Sequence, residues 1–289
     1  MPQASVSPLT ARVRAQRLSM ISPTGAEYEI VDVTPGRAEL WLTRNTDNRR
    51  VRPATVARYS RDMETGRFIE NGAAICFAKD GALLDGQHRL EAVVQSGATV
   101  TFLVVRNLDR RVQHTIDDGA KRTLGDRLTF NGHQNSAVAA AVIRRVVMWQ
   151  AGYKQNSGTY QPSTAESLDL LDSDPTIAVA VDSAVKLRTG RLLPPTIIGL
   201  TWWLFSKVDE ADCATFWDGL HSGAGLSEGD PIHIVRNQII RRNAEPGRIP
   251  ESIYLAWVIK AWNFWRAERA LSPTYKFRLR PDESFPEPR

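Results

Sequence analysis

Asp85-Gly86-Gln87-His88-Arg89 places a carboxylate, a backbone position without a side chain, an amide, an imidazole and a guanidinium in five consecutive residues. Leu90, Val93 and Val94 follow at the spacing of an amphipathic helix. The start of a helix favours anions, because its first N–H groups lack intrahelical acceptors and its dipole is positive there. Gly86 lets a phosphate approach the backbone, His88 and Arg89 add donors, and Arg can grip two phosphate oxygens at once. Gln87 completes the predicted phosphate cradle. Asp85 is expected either to cap the helix or to hold a Mg2+ ion bridging phosphates. At about 100° per residue, His88, Glu91 and Gln95 share a polar face, so Glu91 is a candidate to orient His88 or accept a proton. The plainer alternative is a capped surface helix with a solvated face.

Other groups join this inventory. "TIDDGAKRTLGD" pairs Asp117 and Asp118 with Lys121 and Arg122 around Gly119, with Thr123 opening a helix. It reads either as a second catalytic, metal or phosphate contact closing over a nucleotide, or as a charged turn before a helix. "NTDNRRVR" offers Asn48, Arg49, Arg50 and Arg52 to phosphate or a DNA backbone, or makes a solvated loop. Arg144 and Arg145, with Arg236, Arg241 and Arg242, form basic helix faces that suit salt-sensitive phosphate contacts or ordinary soluble surface. His114, His133, His221 and His233 lack metal-ligand spacing, and the tryptophans fall at helical core spacing.

These groups need elements to hold them. Strands are predicted at Glu27–Val33, Ala73–Phe77, Ala82–Leu84 and Thr99–Val105, the last central because it is almost wholly apolar or β-branched. Asp80-Gly81 marks a hairpin between the second and third. Helices are predicted after Pro53, with Val56, Tyr59 and Met63 inward, and at His88–Ser96, ended by Gly97. Ala38–Thr43 is a single helical turn. Past Gly119 the pattern becomes helical to about residue 269, with Leu255, Trp257, Val258, Trp262 and Trp265 making the last helix central. The expected fold class is therefore α/β followed by an α-helical domain: a flexible basic arm at 1–25, a nucleotide-binding domain at 26–122, helices at 123–270 and an extended C-terminal tail at 271–289.

Composition narrows the class. With 42% hydrophobic and 24% charged residues, the chain is expected to fold as a soluble protein rather than to remain disordered. No apolar run approaches the length of a membrane span, and the N-terminus lacks a secretory core, so no membrane partner and a cytoplasmic location are expected. Two cysteines, Cys76 and Cys213, make neither a disulfide framework nor a zinc site. A net charge of +5 permits a polyanionic partner without demanding one.

"DGQHRLEA" resembles the phosphate-binding signature of the ParB/sulfiredoxin superfamily, with Gly86, His88 and Arg89 at the matching positions. "NTDNRR" is similar in place to the first conserved box of ParB domains, and the resemblance spans Glu27 to Val105. "TIDDGAKRTLGDRL" and the closing "KAWNFWRAER" and "FPEP" look like features of ParB-like proteins of phages and actinobacteria. The resemblance implies a ParB/sulfiredoxin-like N-terminal domain that binds ATP or another NTP with Mg2+. It further implies phosphoryl transfer or NTP hydrolysis in phage or mobile-element DNA metabolism or modification. A non-catalytic DNA-binding regulator with a nucleotide switch, and a nuclease, are the other activities it implies. Gln87 stands where sulfiredoxin has its catalytic cysteine, so peroxiredoxin repair is not implied.

Overall fold

The computed structural model describes residues 19–46, 48, 50–114, 116, 124–130, 134–155, 160–188, 192–247 and 249–289. Two compact units divide the chain, Met1–Lys121 and Arg122–Arg289. The first is α/β and the second is α-helical.

The first unit is built on a five-stranded mixed sheet in the order β1-β2-β5-β3-β4. Its strands are β1 (Ser19–Ile21), β2 (Glu27–Val33), β3 (Ile75–Ala78), β4 (Leu83–Asp85) and β5 (Val100–Leu108). The central β5 pairs antiparallel with β2, from Glu27↔Arg106 to Val33↔Val100, and parallel with β3. Strand β3 turns back into β4 through Lys79-Asp80-Gly81, where the Gly81 N–H donates to Ala78 O at 2.9 Å and Asp80 Oδ1 accepts from the Ala82 N–H at 3.1 Å. That is the hairpin predicted from Asp80-Gly81. Alternate strand residues Val31, Val33, Phe102 and Val104 share one core with α1 (Pro35–Leu42), α2 (Pro53–Glu64) and α3 (Gln87–Ser96), through Ala38, Trp41, Val56, Met63, Leu90 and Val93. Period-2 burial in the strands and period-3.6 burial in the helices thus meet on one face of the sheet.

Two expectations change here. Within the arm predicted at 1–25, Ser19–Ile21 pairs with β2 as an edge strand; residues 1–18 lie outside the described residues. The single turn at Ala38–Thr43 is the end of an eight-residue helix. Pro35 occupies its first turn, where a missing N–H costs nothing, and Thr34 accepts from the Arg37 N–H to cap it.

The second unit contains α4 (Leu124–Phe130), α5 (Ser136–Gln150), α6 (Thr164–Ser173), α7 (Thr176–Leu187), α8 (Pro195–Ser206), α9 (Glu210–Ser222), α10 (Pro231–Ala244) and α11 (Glu251–Arg266). Helices α8 and α11 are apolar on most faces and supply much of its core; Phe205 stacks on Trp262 with ring centroids 4.2 Å apart. All eight tryptophans of the chain are buried in a core or packed against one. No helix of the described residues is long and apolar enough to cross a membrane.

The tail after α11 has no regular structure but is docked. Phe277 is 1% exposed in the helical core, and the Gln238 amide accepts from its N–H and donates to its carbonyl, both at 2.8 Å. Asn263 repeats the arrangement, donating to Glu287 O at 2.8 Å and accepting from the Arg289 N–H at 2.9 Å.

Asp174 ties α6, α7 and α8 together. Burial acts to raise its pKa, but donors from Thr176, the Trp203 indole and Lys207 outweigh that and hold it at about 2. A folded pKa below the unfolded one means stability that is present above pH ~4 and lost as pH falls toward 2. Asp174→Asn is therefore expected to destabilise the helical unit at pH 7 by on the order of 2 kcal/mol. In urea denaturation followed by tryptophan fluorescence, the difference from the wild type should close near pH 2.

Candidate phosphate-binding site at the start of helix α3

Strand β4 ends at Asp85, and the chain enters α3 through Gly86, the N-cap residue, at φ +105° and ψ 2°. This conformation is open to glycine and strained for other residues. The position is also tight: a Cβ on Gly86 would lie 2.4 Å from Ile75 Cδ1. Gly86 has no side chain with which to cap α3. Asp85, expected either to cap the helix or to hold a metal, does not cap it.

Arg89 occupies the carboxylate of Asp85 instead. Its Nη2 donates to Asp85 Oδ2 at 2.8 Å and to Ala74 O at 2.9 Å, and its Nη1 donates to Ala73 O at 2.5 Å. The guanidinium is 12% exposed and the carboxylate 32%. Three of its five N–H groups are thereby spent on the protein. Arg89 clips the chain entering β3 to the start of α3 rather than presenting an open fork to a ligand. One carboxylate already paired with a guanidinium is a poor start for Mg2+, which takes one or two carboxylates together with phosphates. Among the described residues, no group of three or more His, Cys, Asp and Glu is placed to hold a metal ion. With its carboxylate paired to Arg89, Asp85 does not stand open to a magnesium ion.

The loop after α1 folds over the same helix start. The Arg44 carbonyl accepts from the Leu83 N–H at 2.9 Å, and the Asn45 amide donates to Gln87 Oε1 at 3.1 Å. Asn48 donates to Asn45 Oδ1 and to Leu83 O, both at 2.7 Å, and accepts from Gln113 at 3.1 Å. The Arg52 N–H, at the entrance to α2, donates to His88 Nε2 at 3.0 Å. His88 is thus an acceptor at Nε2, and its neutral ring carries its proton on Nδ1, a donor. Two segments some 40 residues apart are sewn together by these bonds.

The structure therefore brings together Asp85, Gly86, Gln87, His88, Arg89 and Asn48. Gln87, 4% exposed, and Asn48 serve the loop's own network, since both N–H groups and the oxygen of the Asn48 amide are engaged. Glu91 is half-buried one turn along α3, and Arg50 is exposed. Arg49, Asp117, Asp118, Lys121, Arg122 and Thr123 lie outside the described residues. Sequence reasoning missed Asn45 and Gln113, whose amides complete the network; polar amides in loops carry no periodic signal that would have marked them.

The basic helix faces divide. Arg144 is exposed, but Arg145 is 3% exposed and donates to the carbonyls of Tyr153 at 3.4 Å and Lys154 at 3.0 Å. It braces the end of α5 and cannot serve as the DNA contact expected of it. Arg236 donates to Leu220 O, and Arg242 to carbonyls of the turn after α10. Arg241 is exposed.

Cys76 lies opposite Asp85 in the β3–β4 pair. Burial first, then the Asp85 charge, push its thiol up to about 11, against a smaller opposing pull from Arg89. At pH 8 its thiolate fraction is about 100-fold below that of an ordinary cysteine. Iodoacetamide is accordingly expected to leave Cys76 largely unmodified in the folded protein over a time that fully labels glutathione. Peptide mass spectrometry would check this; rapid native labelling of Cys76 would contradict the environment described.

Comparison with protein families, curated proteins and solved structures returns no match for the chain. The functional reading rests on the site itself.

Proposed function

We propose that the N-terminal unit is a ParB/sulfiredoxin-like domain that holds a nucleotide by its phosphates at the start of α3. On this reading the protein is an NTP-dependent phosphotransferase or NTPase acting in phage or mobile-element DNA metabolism or modification. The observation that carries the proposal is electrostatic. The N-cap is a glycine, which has no side chain of its own to cap the helix, and the adjacent carboxylate, Asp85, is neutralised by Arg89. The positive helix end keeps its attraction for anions. His88 stands in the first turn of α3, where its Nε2 accepts from the Arg52 N–H, and Arg50 is exposed in the loop that precedes Arg52. The convergence of the loop at 44–52 on residues 86–89 supports the same reading, since these are the two segments that carry the ParB-like resemblance.

Arg89 then acts as a positioning residue, and the phosphates are taken by backbone N–H groups. Catalysis on such a site is a matter of holding the phosphoryl group and offsetting its charge. The Asp85–Arg89 pair also favours a second reading, a nucleotide switch without turnover, because it occupies the carboxylate nearest the phosphates.

Calorimetric titration with ATP, CTP and GTP, with and without Mg2+, tests the proposal. One nucleotide is expected to bind with a Kd of tens of micromolar or tighter, and inorganic tripolyphosphate should compete with it. Absence of binding by all three at millimolar concentration would overturn it. Phosphate release in the same samples separates the enzyme from the switch.

A further inference from the structure

Between Arg269 and Arg280 the chain carries four basic residues, Arg269, Lys276, Arg278 and Arg280, and no acidic one. All four are exposed, and among the described residues none makes an ion pair with a carboxylate; Arg269 lies over the Phe264 ring at 5.1 Å, and, behind the Lys260 hydrogen bond, the Arg280 charge helps hold the Glu283 pKa down. Two neighbouring carboxylates are already engaged: Glu283 pairs with Lys260 at 2.5 Å and Glu287 pairs with Lys154. The four bases line a cavity of about 1180 Å³ between α11 and the docked tail. A second cavity of about 860 Å³ lies against residues 273–278 and α10, and Lys276 and Arg278 line both.

The tail displays these charges in a fixed pattern. From Lys276 to Arg280 burial alternates: Phe277 is buried and Leu279 half-buried, while Lys276, Arg278 and Arg280 are exposed. This two-residue alternation leaves the three bases in succession on the exposed side of the tail, as alternate side chains of a strand would be. The Gln238 clip on Phe277 and the Lys260 bond to Arg278 O at 2.6 Å hold this register. Ordering it therefore does not fall on the binding step. An aromatic platform adjoins the charges. Tyr275 is 37% exposed, packs edge-on against Phe264 and Phe277, and lines both cavities with Lys276 and Arg278. A groove of exposed bases beside an exposed ring is the combination that takes a single strand, the charges following the backbone and the ring stacking on a base.

We propose that the groove between α11 and the docked tail binds single-stranded nucleic acid through Arg269, Lys276, Arg278 and Arg280, with Tyr275 stacking on a base. The site lies wholly within the helical unit and is independent of the nucleotide reading.

Fluorescence anisotropy of the full chain with a labelled 20-nucleotide oligo(dT), the matching oligo(rU) and a 20-base-pair duplex tests it. The wild type is expected to bind both single strands at low salt and the duplex at least tenfold more weakly. Lys276→Ala, Arg278→Ala and Arg280→Ala combined should weaken single-strand binding at least tenfold. They should also reduce the salt slope by about 2, since each phosphate contact contributes about 0.7 on a single strand. Tyr275→Leu should weaken binding about fivefold or more and leave the slope unchanged. The substituted side chains are exposed and Phe277 and Gln238 are retained, so unchanged thermal melting accompanies the expected result. A triple variant with wild-type affinity and slope, a duplex bound as tightly as the single strands, or no binding at low salt would each overturn the proposal.

Discussion

Gly86→Ala is expected to destabilise the N-terminal unit by roughly 2–5 kcal/mol and to abolish nucleotide binding. Two separable penalties make up the figure. An alanine at φ +105° is strained whatever surrounds it, at a cost of about 1–2 kcal/mol. Its Cβ would also lie 2.4 Å from Ile75 Cδ1, an overpacking worth about 1–3 kcal/mol. Ile75→Val removes that same Cδ1 atom and by itself costs about 0.5–1.5 kcal/mol. In the double variant the steric penalty should fall away while the backbone penalty stays. A double-mutant cycle in urea should therefore show favourable coupling of about 1 kcal/mol or more. Additivity would mean that the close approach to Ile75 is not what excludes a side chain at position 86.

The same position shows what was readable in the chain and what was not. The hairpin at Asp80-Gly81, the helix after Gly86 and the central place of the last strand are local or periodic features. Each follows from turn chemistry or from the alternation of apolar residues, and the structure has all three. The direction of the Arg89 guanidinium is different in kind. Its acceptors at Ala73 and Ala74 lie 16 and 15 residues upstream and are backbone carbonyls, which leave no mark in the residue types. Arg145 was misread for the same reason: its partners are carbonyls of the turn after α5. The Asn45–Gln87 bond spans 42 residues and depends on the loop returning to β4, which no window of sequence contains. Basic residues were legible as charges, but whether a charge faces a ligand or the protein's own backbone is settled by tertiary contacts.

Arg89→Ala is expected to destabilise the unit by about 1–3 kcal/mol, because three bonds from a charged donor disappear while the Ala73 and Asp85 acceptors are exposed enough to regain water. Arg89→Lys should recover little of this, since a single ammonium cannot reproduce the fork that meets carbonyls and carboxylate together. Loss of nucleotide binding in Arg89→Ala would not by itself identify a phosphate contact. The substitution also leaves the Asp85 charge unneutralised beside the helix start, a repulsion on the order of 1 kcal/mol per phosphate charge. Asp85→Asn combined with Arg89→Ala separates the two roles. If Arg89 serves by neutralising and positioning, the doubly neutral variant should regain affinity at least fivefold over Arg89→Ala, measured by calorimetry on the fraction that remains folded. If the guanidinium leaves its carbonyls to grip phosphate directly, removing Asp85 restores nothing. In that case the apo arrangement of Arg89 is a resting state that the ligand displaces. The guanidinium cannot both hold the chain entering β3 at Ala73 and Ala74 and present its fork to an oxyanion, so the double variant decides between the two with one comparison.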